Sequence, residues 1–339
     1  MATALANTSL SLADLAKRTG ADGRMLPIVE ALQQRNSFIQ SMIWKEGNTD
    51  TGQMVAARDI LPSVAWVKIN EGIPASKSAT DTYIEGTGML EGLSSMDTRL
   101  AEVNGNAAAT RASEDDAFLA SMANTLESAF FYESTTVNPE RLLGLSARLG
   151  STTSKYGSQI LKADSGASGA NQASMWLIGW GDHTVYGITP RGQATGLTME
   201  DMGKQRVLDA NGNAYFKYET WFRWRVGLCV EDYRYVVRVA NIDTTRLTAN
   251  FASGADLVDM MIQAYYQIFD PTAVRLAWYV DRRIGAFLHR QALNHTTQST
   301  LTVDPTATSA GVFGRPILRS MGAPIYVTDA LINNEALVS

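Results

Sequence analysis

Between Gly47 and Ser95 the chain offers three short β-type runs, Met54-Val55-Ala56-Ala57, Val64-Ala65-Trp66-Val67-Lys68-Ile69 and Thr80-Asp81-Thr82-Tyr83-Ile84. Gly47, Gly52, Gly72, Gly86, Gly88 and Gly92 punctuate them. Their apolar alternation is imperfect, and polar residues stand on both sides. Two strands with two fairly polar faces bury too little apolar surface to be stable alone. The stretch therefore reads as a long hairpin that projects from the body and needs another chain to cover it. An ordinary edge hairpin lying over its own core is the competing reading.

Working outward, the N-terminal side begins with a polar arm, residues 1–25. It is followed by helical spacing of Ile28, Leu32, Ile39 and Ile43 behind Pro27, which predicts a helix ending near Trp44. On the C-terminal side, Ser113 with Asp116 resembles a capping box, and Leu119, Met122, Leu126 and Phe130 line one face of a long helix that runs to Tyr132. Asn138-Pro139 stops it, and a short helix is expected around 139–149. After a Ser/Gly/Ala loop at 150–172 come strands at 175–180, 184–188 and 235–239. Asn211-Gly212 marks a tight turn, and an alternating strand follows from Phe216 to Val226. Ser253 and Asp256 open one helix. Asp270-Pro271 opens a second, expected to carry Val274, Trp278, Ile284 and Leu288. A Thr/Ser-rich loop at 294–311 leads to a strand at 317–327, broken by Gly322 and Pro324.

Composition removes several classes of function. The 339 residues are 45% apolar and 19% charged, a globular balance rather than a disordered one. No apolar run approaches the ~20 residues of a membrane span, and the opening Met-Ala-Thr-Ala-Leu-Ala lacks the basic start and apolar stretch of a signal peptide. The net charge of −5 argues against a dedicated nucleic-acid binder, which needs a basic face. One cysteine, Cys229, and three histidines, His183, His289 and His295, leave no disulfide framework and no His-x-x-x-His zinc spacing. The single cysteine fits a reducing compartment or a small buried side chain.

Local motifs fail on spacing. Gly86-Thr87-Gly88-Met89-Leu90-Glu91-Gly92 has one residue too many for a dinucleotide fingerprint. Asp209-Ala210-Asn211-Gly212-Asn213 has calcium-loop residue types but misplaces its glycine, so a hairpin turn is expected. His183 beside Asp182 reads as a turn residue, and His289 lies on a basic helix face with Arg282, Arg283 and Arg290. Neighbouring carboxylates such as Glu231-Asp232 face opposite sides of a strand and form no dyad. No catalytic constellation emerges, and no catalytic, metal or cofactor residue is assigned.

The order of elements, with several strings, resembles the major capsid proteins of tailed bacteriophages of the Hong-Kong-97 (HK-97) fold, most like those of epsilon-15-like short-tailed phages. The strings are 44–49 (WKEGNT), 61–66 (LPSVAW), 88–91 (GMLE), 104–106 with 113–115 (NGN and SED), 176–187 and 233–242 (YRYVVRVANI). The resemblance implies an α+β capsid fold. It divides the chain into an N-terminal arm (1–44), an extended E-loop (45–95), a P-domain (96–149) with its spine helix at 113–133, an inserted A-domain (150–310), and a return strand of the P-domain (311–339). It implies self-assembly as hexamers and pentamers into an icosahedral shell around packaged double-stranded DNA, without sequence-specific DNA binding, cofactor or membrane. Only about 25 residues precede the first expected helix, so a separate scaffolding protein is expected, with a portal and a decoration or cement protein as further partners and the host cytoplasm as the place of assembly. Intersubunit contacts are expected at Arg58, Asp59, Lys68 and Glu71 on the hairpin and at Arg282, Arg283 and Arg290 near the capsomer axis. Lys68 and Lys77 lie where the founding member cross-links, but nothing identifies a partner, and that chemistry is not carried over. Two other readings remain: a virion decoration or carbohydrate-binding β-rich protein, suggested by the aromatic strands, and a hydrolase with a scattered site.

Overall fold

The computed structural model describes residues 34–103, 106–163, 171–193, 196–209, 211–247, 256–294, 301–304 and 317–339. The first 33 residues of the expected arm, part of the 150–172 loop, Ser253 and His295 lie outside them. In chain order the elements are α1 (Ser37–Ser41), β1 (Trp44–Glu46), β2 (Gly52–Ile60), β3 (Ala79–Gly86), β4 (Gly88–Asp97), α2 (Thr98–Glu102), α3 (Ala107–Tyr132), α4 (Leu145–Arg148), β5 (Ile160–Lys162), β6 (Gln172–Trp180), β7 (Val185–Thr189), β8 (Thr198–Leu208), β9 (Ala214–Val230), β10 (Val236–Asp243), α5 (Leu257–Gln267), β11 (Arg275–Val280), α6 (Arg282–Asn294), β12 (Leu301–Asp304), β13 (Ile317–Ser320) and β14 (Ala323–Val327).

Strand β6 is buried along all nine of its residues, as expected of a strand covered on both faces. It takes β10 on one side and β11 on the other, both antiparallel, and β11 continues into β14 in parallel. The core sits on this sheet and joins Trp176, Trp180, Trp278 and Tyr279 to Phe130 and Phe131 of α3 and Phe38 of α1. Beside α3 lies a second region in which the long β9 pairs with β4 over ten positions and with β8 on its other edge. One face of it meets α3, where Phe222 stacks on Phe118. The stretch read as the 150–310 domain thus supplies β8 and the first half of β9 to the sheet beside the long helix.

Helix α3 is 26 residues long, and Ala-rich sequence favours it throughout. It begins at Ala107, not near Ser113. Asn106 caps it, its Oδ1 accepting from the Ala109 N–H at 3.1 Å, so an Asx cap upstream replaces the expected Ser113–Asp116 box. The helix expected to reach Trp44 stops at Ser41 in α1, because Trp44–Glu46 pair in parallel with Gly187–Thr189 of β7. The expected strand at 64–69 is absent. The helix expected around 139–149 shrinks to α4. The helix expected from Asp270-Pro271 is a strand first: β11 runs antiparallel to β6, with Trp278 opposite Leu177, and only then does α6 start. In the 294–311 region, expected as loop, residues 301–304 form β12 on β13. Gly322, at φ +83°, lets β13 fold back onto β14, so the interrupted terminal strand is a hairpin. The Asp209–Asn213 turn is as expected: Asp209 Oδ1 accepts from the N–H groups of Asn211 (2.9 Å) and Asn213 (2.8 Å).

Beyond β14 the chain returns to α3. Glu335 accepts from Tyr132 Oη (2.6 Å), Arg238 Nη2 (2.8 Å) and Ser174 Oγ. Asn241 and Val338 exchange two hydrogen bonds, at 3.0 and 2.9 Å.

Candidate assembly interface

Strands β2 and β3 form a two-stranded ribbon of their own, in which Val55 opposes Tyr83 and Met54 opposes Ile84. Alternation along each strand separates these pairs onto two faces. Val55 is buried against Tyr186, Ile188 and Cys229. Tyr83 Oη lies 3.0 and 3.1 Å from the carbonyl oxygens of Val230 and Glu231, to which it donates. Burial pushes the Tyr83 phenol well above its ordinary pKa, so it remains a donor at any physiological pH. Met54 and Ile84, on the other face, are exposed.

The ribbon ends in residues 61–78, which hold no strand. Leu61, Val64, Trp66, Ile69 and Ile73 are exposed there; Trp66 is 104% accessible and Val64 and Ile69 94% each. Lys68 and Glu71 shape this tip: the Lys68 N–H donates to Glu71 Oε2 at 2.9 Å and the Glu71 N–H to the Lys68 carbonyl at 3.1 Å. Ser76 Oγ spans the tip to the Ser63 carbonyl at 2.7 Å. A cluster of large apolar side chains in open solvent marks an interaction site.

The root of the ribbon is fixed by a buried ion pair that sequence reasoning missed. Arg148 at the end of α4 and Glu85 of β3 have side chains 2% and 4% exposed. Arg148 Nη2 donates to Glu85 Oε2 at 2.6 Å, and Nη1 pairs with Oε1. The same guanidinium donates to the Leu228 carbonyl (3.0 Å), the Leu143 carbonyl and Tyr233 Oη (3.0 Å). Burial works to discharge Arg148, but the Glu85 carboxylate outweighs it and raises its pKa further. Tyr233 stacks on Tyr156 at 3.6 Å and closes the cluster. The available signal was Glu85 itself, two residues from Tyr83 and so on the same face as a ring facing the body.

The predicted contact residues fall into two groups. Arg58 is exposed on β2, and Asp59, at the ribbon's register shift, pairs with Lys155 at 2.7 Å. An exposed pair of that kind is screened by solvent and adds little to stability. On α6, Arg283 and Arg290 are exposed, whereas Arg282 forms a two-toothed contact with Asp329, Nη2 to Oδ2 at 2.6 Å and Nε to Oδ1. No ion pair joins the two groups among the described residues. His183 lies in a turn, Nδ1 3.3 Å from Glu231 Oε1, and Cys229 is buried, its thiol pushed by burial up to about 12. Among the described residues no His/Cys/Asp/Glu cluster could hold a metal.

The body, which packs residues from 34 onward, a long helix and a central sheet around one core and carries apolar side chains outward on a ribbon, has the Hong-Kong-97 fold of the phage capsid subunits that it matches. The solved structure of bacteriophage Epsilon15 matches with a TM-score of 0.77 and 30% identity, covering 100% of this chain and 99% of that one. The capsid of bacteriophage JBD30 shares the fold at a TM-score of 0.51 and 9% identity, over 89% of this chain and 93% of that one. No curated protein matches. The family model Major capsid protein GP7 matches residues 20–339, and the chain belongs to that family. It is a bacteriophage major capsid protein: a structural protein of the virion whose copies self-assemble into the icosahedral capsid shell. Nothing in the described residues or the matches favours a decoration or carbohydrate-binding protein.

Proposed function

We propose that the copies meet as hexamers and pentamers around packaged double-stranded DNA, and that within the 45–95 stretch expected as an E-loop the ribbon of β2 and β3 with its 61–78 tip lies across a neighbouring copy, while β1 and β4 stay paired in the subunit's own sheet. The observation that carries this reading is the tip: five large apolar side chains on a segment that the other described residues leave uncovered. Arg58, Asp59, Lys68 and Glu71 would surround that contact, and Arg282, Arg283 and Arg290 would face a neighbour near the capsomer axis. Asp59 and Arg282 already hold intrachain partners, so the exposed Arg58, Arg283 and Arg290 carry the larger share. The finer division follows the same reading, with residues 1–44 as arm, 96–149 as P-domain, 150–310 as A-domain and 311–339 returning to the P-domain. A separate scaffolding protein, a portal, a decoration or cement protein and assembly in the host cytoplasm complete it, and the subunit needs no catalytic step. The acidic balance suits a wall that does not grip the DNA it encloses.

Replacing Val64 and Trp66 together by Asp tests the contact. Both side chains are fully exposed, so the subunit's own stability should change by only about 0.5 kcal/mol or less. The expected result is unchanged circular dichroism with loss of shells in negative-stain micrographs. Intact shells from the double variant would overturn the assignment.

A further inference from the structure

Glu127 stands near the C-terminal end of α3, five residues before Tyr132, with no exposed surface. Three segments meet at its carboxyl. Its Oε1 accepts the Phe38 N–H of α1 at 3.2 Å and the hydroxyl of Thr328, just past β14. Its Oε2 is buried with no hydrogen-bond partner. Burying an ionised carboxylate is costly unless its oxygens are paired, and here one is not.

The surroundings decide which group near this junction changes charge. The arm brings Arg35, whose N–H donates to Asp329 Oδ2 at 3.0 Å. The C-terminal segment brings Asp329, and α6 with its preceding residue brings Arg282 and Asp281. One turn before Glu127, α3 brings the neutral Asn124, which accepts from the Gln34 N–H and from Asn36 Nδ2. Burial opposes ionisation of Asp329, yet the Arg282 guanidinium and the Arg35 N–H hold its carboxyl below the usual range, so it stays charged through neutrality. Glu127 goes the other way. Burial pushes it up to about 7, against the hydrogen bonds from the Thr328 hydroxyl and the Phe38 and Ile39 N–H groups, and the nearby Asp329 charge adds to the rise.

We propose that Glu127 is a pH-sensitive latch on the N-terminal arm: neutral, it holds residues 34–41 against α3 and the C-terminal segment, and ionised, it loosens them. The sign follows from linkage. A carboxyl that binds its proton more tightly when docked than when released favours docking below its ordinary pKa, and that contribution is lost as pH rises through the docked value. Further contacts hold the arm: Ser37 Oγ donates to the Val327 carbonyl at 2.9 Å, Ser41 Oγ meets Tyr279 Oη, and the Ser41 carbonyl accepts from Arg275. The latch is internal to the subunit and stands whether or not the ribbon reaches a neighbour.

Hydrogen exchange of the full chain, in shells and as free subunits, tests it at pH 6 and pH 8 after correction for intrinsic exchange rates. Amides of residues 37–42 should lose about tenfold more protection between the two values than those of β6 residues 175–178, as a carboxyl shifted from ~4.3 to about 7 requires. Glu127→Gln should abolish that difference. Equal pH dependence in the arm and in β6 would overturn the proposal from the unmodified chain alone, even if the variant failed to fold, and so would an undiminished difference in a folded Glu127→Gln.

Discussion

At the residue scale, the polar groups that matter most are buried ones that tie distant segments together. Arg148 reaches Glu85 across 63 positions of sequence, and Arg238 reaches Glu335 across 97. Such pairs add less to stability than their geometry suggests, because both ions lose their water, but removing one partner strands the other. Arg148→Met should therefore destabilise the subunit by about 3–5 kcal/mol in urea denaturation, and adding Glu85→Gln should recover part of the loss. If the double replacement were as damaging as the sum of the single ones, Glu85 and Arg148 would not be acting as a pair. The same logic limits how the ribbon can be cut. Deleting residues 53–85 would remove Glu85, Tyr83 and Val55 with the tip and leave Arg148 unpaired in the core, so a clean test must spare the root.

At the scale of elements, packing rather than propensity sets the boundaries. Gly187 of β7 faces Trp44 of β1, and an added Cβ would stand 2.8 Å from Trp44 Cε3 and closer still to Met42 Sδ. Trp44 is itself held between Phe130 and Trp224. Gly187→Ala should therefore cost roughly 1–3 kcal/mol by overpacking, while Gly86→Ala, which meets open space, should be near neutral; equal urea midpoints for the two would contradict this packing. Legibility in the sequence follows the same line. The long helix, the buried strand at 172–180 and the alternating strand at 214–230 are readable, because each carries its own periodicity. The start of α3 escapes a sequence reading because the Ser113–Asp116 spacing resembles a cap while the side chain that does cap the helix is Asn106, seven residues upstream. Strand β11 reads as helix because Leu276–Val280 is a short apolar run, and only its partners β6 and β14 decide its form. Strand β8, with polar residues on many of its positions, carries no signal apart from the Asn211-Gly212 turn that joins it to β9. At the candidate interface, the strand pair of the hairpin is legible from its two β-type runs, whereas the packing of Val55 on Tyr186, Ile188 and Cys229 is not. Nor is its root, since nothing local links Glu85 to Arg148.

At the scale of the whole molecule, the subunit divides its apolar surface into two uses. One part fills a core shared by the arm, the long helix, the central sheet and the C-terminal segment. The other is carried outward on the ribbon, where the other described residues leave it exposed. A contact between a projecting tip and a different surface of the next copy is heterologous, and repeated around rotation axes it closes rings and then a shell. Few histidines, one cysteine and an acidic balance accord with a protein whose working surface is its contact with copies of itself. The most direct measurement replaces residues 61–78 with a two-residue Asn-Gly turn joining Ile60 to Ala79, which are paired across the ribbon. The purified chain is then sedimented and imaged by negative-stain microscopy beside the unmodified one. The prediction is a folded subunit of unchanged melting temperature that forms no closed shells; uniform intact shells from the shortened chain would contradict it.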